Sequence, residues 1–206
     1  MPYAPTRRQL GTLALASLLL PQPALAALAI GQRAPELSLE DVQGRSVRLS
    51  DFRGRHVVLE WNNPGCPFVR KHYGSGHMQA LQAEARGRGV VWLTVNSTAD
   101  GSADFMTPAQ MTRWLAEQKA APSAALVDES GALGRAMGAR SALHMFILNP
   151  RGELIYAGAI DSKPSAKTED LKTATNYVRQ GLNEALAGQP LSVATSRPYG
   201  CPITYR

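Results

Sequence analysis

Residues 56–69 read HVVLEWNNPGCPFV and join a strand signal to a helix signal through one turn. The run HVVLEW is rich in β-branched and aromatic side chains, and the NNPG after it is a cluster of turn-forming residues. Pro67, directly after Cys66, suits the first turn of a helix, and the pattern beyond it is helical to about Arg86. The sequence therefore predicts a strand–turn–helix unit with Cys66 at the junction.

Strand and helix signals alternate along the rest of the chain. The other predicted strands are a hairpin at 36–40 and 46–49, and strands at 90–95, 124–127, 144–148 and 153–157. The other predicted helices begin at the Thr107-Pro108 capping signal and span 130–137 and 168–187. This order predicts an α/β fold that resembles the thioredoxin-like fold, with one mixed sheet, helices on both faces and an N-terminal β-hairpin.

The composition describes a folded globular protein. The chain has 206 residues, 44% of them hydrophobic, which is enough for one domain with a core of its own. Two cysteines cannot fill a four-thiolate zinc site or an iron–sulfur cluster, and we expect no cofactor. The net charge of +6 is spread out, with no basic cluster longer than Arg70-Lys71, which argues against a nucleic-acid partner.

The amino terminus has the layout of an export signal. Arg7-Arg8 precede an apolar run at 10–20, and the small residues after it offer cleavage sites that place the mature start near Ala27 or Ile30. The paired arginines resemble the twin-arginine signal. We therefore divide the chain into a signal peptide at 1–29 and one domain at 30–206, and expect a periplasmic protein without a membrane span.

Cys66 is the residue best placed for chemistry. At the start of a helix its sulfur lies near free N–H groups and the positive end of the helix dipole, which favours the reactive thiolate. Arg70 and Lys71, one turn further on, are expected to add positive charge near the sulfur. A buried and inert cysteine is the alternative.

Several short motifs, in this order, resemble the exported redoxin family, which is thioredoxin-like and related to peroxiredoxins and the alkyl hydroperoxide reductase/thiol-specific antioxidant group. They are GQRAP at 31–35, LEWNNPGCPFV at 59–69, NPRG at 149–152, YAG at 156–158 and PYGC at 198–201. The resemblance covers nearly the whole of the predicted mature chain and implies a reactive Cys66.

The chain departs from the family pattern at two positions. Asn63 stands three residues before Cys66, where thioredoxins have a second cysteine and peroxiredoxins have Thr or Ser; its amide is expected to serve the same hydrogen bonds to a peroxide. Leu143 stands where thioredoxin-like proteins have a cis-proline, so we expect a trans peptide or an altered loop.

Cys201 is the only possible intramolecular partner for Cys66. An even number of cysteines in an exported protein favours a disulfide, and Cys201 lies in a Gly- and Pro-containing tail that we expect to reach back over the domain. It then acts either as a resolving thiol, which captures oxidised Cys66, or as half of a structural bridge.

The leading functional hypothesis is a thiol peroxidase: Cys66 reduces a hydroperoxide, Cys201 resolves the product, and an external thiol protein restores both. A thiol–disulfide oxidoreductase acting on protein disulfides is the second hypothesis. A non-catalytic module with a structural disulfide is the third.

Four other positions receive weaker assignments. Arg140 precedes a strand whose loop is expected to pack beside Cys66, where a guanidinium would stabilise a thiolate; a plain surface arginine is the alternative. His72 and His77 with Cys66 would make a three-ligand copper or zinc site, but we expect ordinary histidines and no bound metal. The segment 161–164 is expected to be a solvated loop.

Overall fold

The computed structural model describes Met1 and residues 27–206. The predicted export signal therefore lies almost wholly outside the described residues. The strands are β1 (Ser38–Asp41), β2 (Ser46–Arg48), β3 (Val57–Trp61), β4 (Val91–Asn96), β5 (Ala124–Val127), β6 (Met145–Leu148) and β7 (Leu154–Gly158). The α-helices are α1 (Pro67–Gly74), α2 (His77–Gly87), α3 (Pro108–Glu117), α4 (Ala132–Met137) and α5 (Tyr177–Leu186).

All seven strands form one mixed sheet in the order β2-β1-β5-β4-β3-β6-β7. Strands β3, β4 and β5 are parallel neighbours, whereas β6, β7 and the β1–β2 hairpin add antiparallel edges. The mixed sheet with an N-terminal hairpin is confirmed. Because β3 is central and parallel to β4, its carboxyl end opens at the edge of the sheet where α/β proteins place their sites.

The core has two halves, one on each face of the sheet. Alternation along the central strands places Val58 in one cluster, with α1, α2 and α5, and Leu59 in the other, with α4. Every residue of β3 is buried, as expected for a strand covered on both faces. Helices on both faces are thus confirmed, and they anchor β3 and the turn that follows it.

Two helix predictions need correction. The helical pattern after Cys66 is not continuous, because Gly76 adopts a left-handed conformation (φ +75°) that ends α1 and starts α2 in a new direction. The predicted helix at 168–187 is instead a 3₁₀ turn at Thr168–Lys172 followed by α5. Asn176 caps α5 by accepting a hydrogen bond from the Arg179 N–H, which fixes the later start.

The loop before β6 has an unusual backbone at Leu143. The described residues contain no cis peptide bond, and Leu143 has φ +59°, a region that non-glycine residues seldom adopt. Its N–H donates to the Trp61 carbonyl oxygen at 2.7 Å, and its side chain is fully buried. The expected absence of a cis-proline conformation is confirmed, and burial with this hydrogen bond holds the strained residue in place.

Among the helices within the described ranges, none has the length and hydropathy needed to cross a membrane.

Candidate active site

Cys66 caps the amino end of α1 at the carboxyl edge of β3. The residue is extended (φ −72°, ψ 125°), and Pro67 occupies the first turn of the helix, as predicted. The turn before it is closed by the Cys66 N–H, which donates to the Asn63 carbonyl oxygen at 3.0 Å. Cys66 has no solvent exposure. Its sulfur therefore lies at a helix amino terminus, where it accepts no hydrogen bond from the helix, and it is covered.

The cover is the C-terminal segment 198–206, which we call the tail. Cys201 lies against the loop before β6: its carbonyl oxygen accepts from the Ala142 N–H at 2.9 Å. Two residues on, the Ile203 N–H donates to the Arg140 carbonyl oxygen at 3.2 Å, so that tail and loop pair like antiparallel strands around a Ser141–Pro202 bridge. The expected return of the tail over the domain is observed.

The tail brings the two cysteines together although they are 135 positions apart in the chain. The Cys201 N–H donates to the Cys66 sulfur at 3.2 Å. Both cysteines are free thiols, and Cys201 is partly exposed. Burial, then the neighbouring Cys66, raises the pKa of Cys201 to about 12. Cys201 therefore remains a protonated thiol at neutral pH.

Asn63 lies beside the pair, but its amide already has partners. Its Oδ1 accepts from the Gly65 N–H at 2.8 Å, and its Nδ2 donates to Asp104 Oδ2 at 3.2 Å. Gly65 has no room for a side chain, because a Cβ there would lie 2.8 Å from Asp104 Oδ1. In the structure Asn63 thus braces the turn against the loop that carries Asp104; its contact with a peroxide stays a prediction.

The three basic side chains assigned near Cys66 have different fates. Arg70 donates from Nε to the Pro64 carbonyl oxygen at 3.4 Å, and its charge lowers the pKa of Cys201 against the stronger effects that raise it. Arg140 holds the tail through its backbone, while its side chain is exposed. The prediction that Lys71 adds positive charge near the Cys66 sulfur is wrong, because its ammonium group is buried beside Asp161.

Asp161 was expected in a solvated loop, and this is wrong. Its side chain is fully buried, with Lys71 Nζ 3.5 Å from Oδ2 and the Tyr199 hydroxyl donating to Oδ1 at 2.6 Å. Lys71 also donates to the carbonyl oxygens of Lys163 and Ser165, at 3.2 and 3.0 Å. A buried charge requires such partners. The loop after β7, helix α1 and the tail therefore meet in one buried polar cluster.

The two histidines lie at the edge of this cluster and contact each other. The Nδ1 atoms of His72 and His77 are 2.9 Å apart, so one of them carries the shared proton. Burial, with the nearby His77 and Lys71, lowers the pKa of His72 to about 2, so that its 3.5 Å approach to Asp161 is not an ion pair at neutral pH. Within the part of the chain that the structure describes, no three His, Cys, Asp or Glu side chains form a metal-binding group, Cys66 with these histidines included.

A buried glutamate fixes the helix that carries Cys66. Glu60, in β3, accepts hydrogen bonds from Tyr73 Oη and Trp92 Nε1, both at 2.7 Å, and from Gln82 Nε2 at 3.2 Å. Burial raises the pKa of this carboxyl group above its usual value. Because Tyr73 belongs to α1 and Gln82 to α2, Glu60 ties both helices to the sheet.

A cavity of about 550 Å³ lies beside the tail. Its walls include Phe68, Asp161, Tyr177, Arg197 and Tyr199. The rings of Phe68 and Tyr199 are 5.5 Å apart, so the start of α1 and the tail also meet through an aromatic contact.

The model of the AhpC/TSA family matches residues 30–157, which include the whole strand–turn–helix unit around Cys66. The chain belongs to the AhpC/TSA family. It is thereby a member of a family of thiol-dependent oxidoreductases, as its resemblance to the redoxins implied. Cys201 and the tail lie beyond the matched residues.

Individual relatives agree with this assignment. Peroxiredoxin Bcp of Bacillus subtilis (strain 168) is 33% identical over 60 residues, which cover 27% of this chain and 38% of the relative. The matched region thus spans well under half the length of this curated relative.

Solved structures share the fold. An uncharacterized conserved protein from Geobacillus kaustophilus has a TM-score of 0.75 at 24% identity, covering 91% of this chain and 98% of that one. The exposed lipoprotein thioredoxin of Streptococcus pneumoniae strain TIGR4 has a TM-score of 0.50 at 25% identity, covering 68% and 97%. The thioredoxin-like fold expected from the order of elements is confirmed.

Proposed function

We propose that this AhpC/TSA protein is an exported thiol peroxidase in which Cys66 reduces a hydroperoxide and Cys201 resolves the oxidised product. One observation carries the proposal: the Cys201 N–H donates to the Cys66 sulfur, so the two cysteines lie against each other. In the proposed reaction, the amino end of α1 and the Cys201 N–H would face the attacking Cys66 sulfur.

The proposed reaction has three steps. The Cys66 thiolate attacks the distal peroxide oxygen, the O–O bond breaks, and the leaving alkoxide takes a proton, which yields a sulfenic acid and an alcohol or water. The Cys201 sulfur then attacks the sulfenic sulfur and water leaves, which forms the Cys66–Cys201 disulfide. Two external thiols reduce this disulfide and become a disulfide themselves.

Stopped-flow mixing of reduced protein with hydrogen peroxide, followed by intact mass, tests the scheme. Wild-type protein is expected to lose two hydrogens as the disulfide forms. Cys201→Ser should instead stop at a sulfenic acid on Cys66, trapped by dimedone, and pass to sulfinic acid with excess peroxide. Oxidation of Cys66 no faster than that of a free thiol such as glutathione would contradict the proposal.

Disulfide exchange with protein thiols is a second candidate, and the covered sulfur favours it. Cys66 has no solvent exposure, whereas Cys201 is partly exposed, so a protein thiol reaches the pair without entering the site. The amide of Asn63 is also already hydrogen-bonded, which removes a group expected to orient a peroxide. Oxidised protein that oxidises a reduced cysteine peptide rapidly, while reduced protein reacts slowly with peroxide, would select this function.

Resistance to reduction distinguishes a permanent structural disulfide from the peroxidase and from the disulfide-exchange protein. In the chain-entropy model, closing a loop between residues 135 positions apart stabilises the fold by about 5 kcal/mol. A staple with no exchange role would resist reduction by millimolar dithiothreitol in the folded state. A redox pair should be reduced readily, and the reduced domain should remain folded because it buries a hydrophobic core on each face of the sheet.

We also propose export by the twin-arginine route, on the evidence of residues 1–29. The protein recovered from the periplasm is expected to begin near Ala27 or Ile30 by mass spectrometry. Export should fail when Arg7-Arg8 are replaced by two lysines. An intact Met1 in the periplasmic protein, or unchanged export of the lysine variant, would contradict the corresponding part.

A further inference from the structure

The contact between Tyr199 and Asp161 lies two residues before Cys201 in the tail. The Tyr199 hydroxyl donates to Asp161 Oδ1 at 2.6 Å, and the Lys163 N–H donates to the same oxygen at 2.8 Å. Oδ2 has no hydrogen-bond partner and faces Lys71 Nζ and His72 Nε2, each at 3.5 Å. Among the described residues, the Tyr199 hydroxyl is therefore the side-chain donor that hydrogen-bonds this carboxylate, and it also lies 3.5 Å from His72 Nε2.

This contact couples the tail to a cluster that is costly to disturb. The side chains of Asp161 and Lys71 are both fully buried. Loss of a polar partner would leave a buried charge uncompensated, which is strongly destabilising. Lys71 Nζ also lies 5.6 Å from the centre of the Tyr199 ring, within range of a cation–π contact. Separation of the tail from the domain therefore removes the Tyr199 hydroxyl from Asp161 and the Tyr199 ring from Lys71.

Cys66 is the N-cap residue of α1 and Lys71 lies within that helix, so one element carries both the sulfur and the cluster. Helix α1 carries Lys71 on the turn that follows the Cys66 cap, and its first residues pack on Tyr199 through Phe68. Tyr199 is thereby fixed to the element that positions the sulfur, and Cys201 follows two residues later. Tyr199 therefore contributes to the position of Cys201, together with the hydrogen bond from the Ala142 N–H to the Cys201 carbonyl oxygen.

We propose that Tyr199 and Asp161 are positioning residues for the thiol pair: their hydrogen bond acts with the pairing between the tail and the loop before β6 to keep the tail closed over Cys66, and its rupture promotes the opening that exposes the sulfur. The inference goes beyond the proposed function, because it concerns access to Cys66 whatever the oxidant is. The fraction of molecules with an open tail then limits the rate at which Cys66 reacts with any small reagent. Cys66 reacts only in the open state.

Tyr199→Phe tests the proposal, since it removes the hydroxyl and leaves the ring on Phe68 and Lys71. In a Cys201→Ser background, alkylation of Cys66 by iodoacetamide is expected to accelerate by about tenfold, which corresponds to about 1.4 kcal/mol. Amide exchange in peptides containing residues 198–206 should accelerate by a similar factor, whereas exchange in β4 should not change. Tyr177→Phe, which alters a tyrosine of the same cavity outside the tail, should match the background protein.

Two results would overturn the proposal. Alkylation and tail exchange in Tyr199→Phe that equal those of Tyr177→Phe would show that the hydroxyl does not hold the tail. Exchange that accelerates equally in the tail and in β4 would show a general loss of stability and no specific opening. The assay uses no peroxide, so inertness of wild-type protein toward peroxide would contradict the proposed function and leave the positioning role standing.

Discussion

Gly200 offers the sharpest test of how the tail covers Cys66. Its φ is +137°, and a Cβ at this position would lie 2.1 Å from the Ala142 carbonyl oxygen, a backbone atom that cannot turn away. Gly200→Ala is therefore expected to push the tail off the loop before β6. The hydrogen bonds from the Ala142 N–H to Cys201 and from the Cys201 N–H to the Cys66 sulfur would then be lost.

The size of the effect follows from these two contacts. At about 0.5–1.5 kcal/mol each, their loss weakens closure by about 1–3 kcal/mol, or roughly 5- to 150-fold in the population of the open state. Strain at the substituted residue increases the effect further. In a Cys201→Ser background, where the serine N–H retains the hydrogen bond, the alkylation rate of Cys66 should rise by that factor.

Gly44→Ala is the matched control. Gly44 also has a positive φ, +75°, but nothing lies within 4 Å of a Cβ there, and the residue belongs to the N-terminal hairpin. It should cost some stability through backbone strain and leave alkylation of Cys66 unchanged. Equal alkylation rates in Gly200→Ala and Gly44→Ala would refute the conclusion that contact between the tail and the loop is what buries the sulfur.

Three further predictions concern other parts of the site. Leu143→Pro should lower the free energy of unfolding by about 3 kcal/mol or more in urea titrations. Proline cannot adopt φ +59°, and it lacks the N–H that donates to the Trp61 carbonyl oxygen. A Leu143→Pro variant as stable as Leu143→Gly would contradict this. Oxidised protein treated with glutathione and quenched with N-ethylmaleimide should carry glutathione on the partly exposed Cys201, since Cys66 is covered; peptide mapping that finds it on Cys66 would disprove the assignment. Burial lowers the pKa of His144 to about 3 from 6.5, so the unfolded chain binds a proton that the native state does not, and stability should fall as pH drops from about 6.5 toward 3. His144→Gln should reduce that slope by up to about 1.4 kcal/mol per pH unit in urea titrations from pH 4 to 7, and an unchanged slope would count against a neutral buried imidazole.

Local signals explain what the sequence predicts well. The turn before Cys66 and the proline after it act within a few residues, and the structure has the cysteine at that junction. The capping box of α3 is also confirmed: Thr107 Oγ1 accepts from the Gln110 N–H, and Gln110 Oε1 accepts from the Thr107 N–H. Such contacts are complete within one turn of chain, so their residue types suffice to predict them.

Distant partners explain what the sequence misses. Asp161 follows an apolar stretch like an ordinary loop residue, and its burial depends on Lys71 and on Tyr199, which is 38 positions away. The sequence Gly-Ser-Gly at 74–76 does indicate the break between α1 and α2. The helical spacing of apolar residues on either side nevertheless favours one continuous helix. Side-chain direction is also hard to predict from sequence. The position of Arg140 before β6 places its backbone against the tail, but it does not show that the side chain is exposed.

The order of synthesis gives the cover over Cys66 a further consequence. The tail residues that bury this sulfur leave the ribosome long after the start of α1, since Cys201 follows Cys66 by 135 positions. Closing so long a loop is slow compared with forming the neighbouring strands and helices. The Cys66 thiol of a nascent chain is thus uncovered until residues 198–206 dock, and proteolytic loss of those residues would uncover it again in the folded domain.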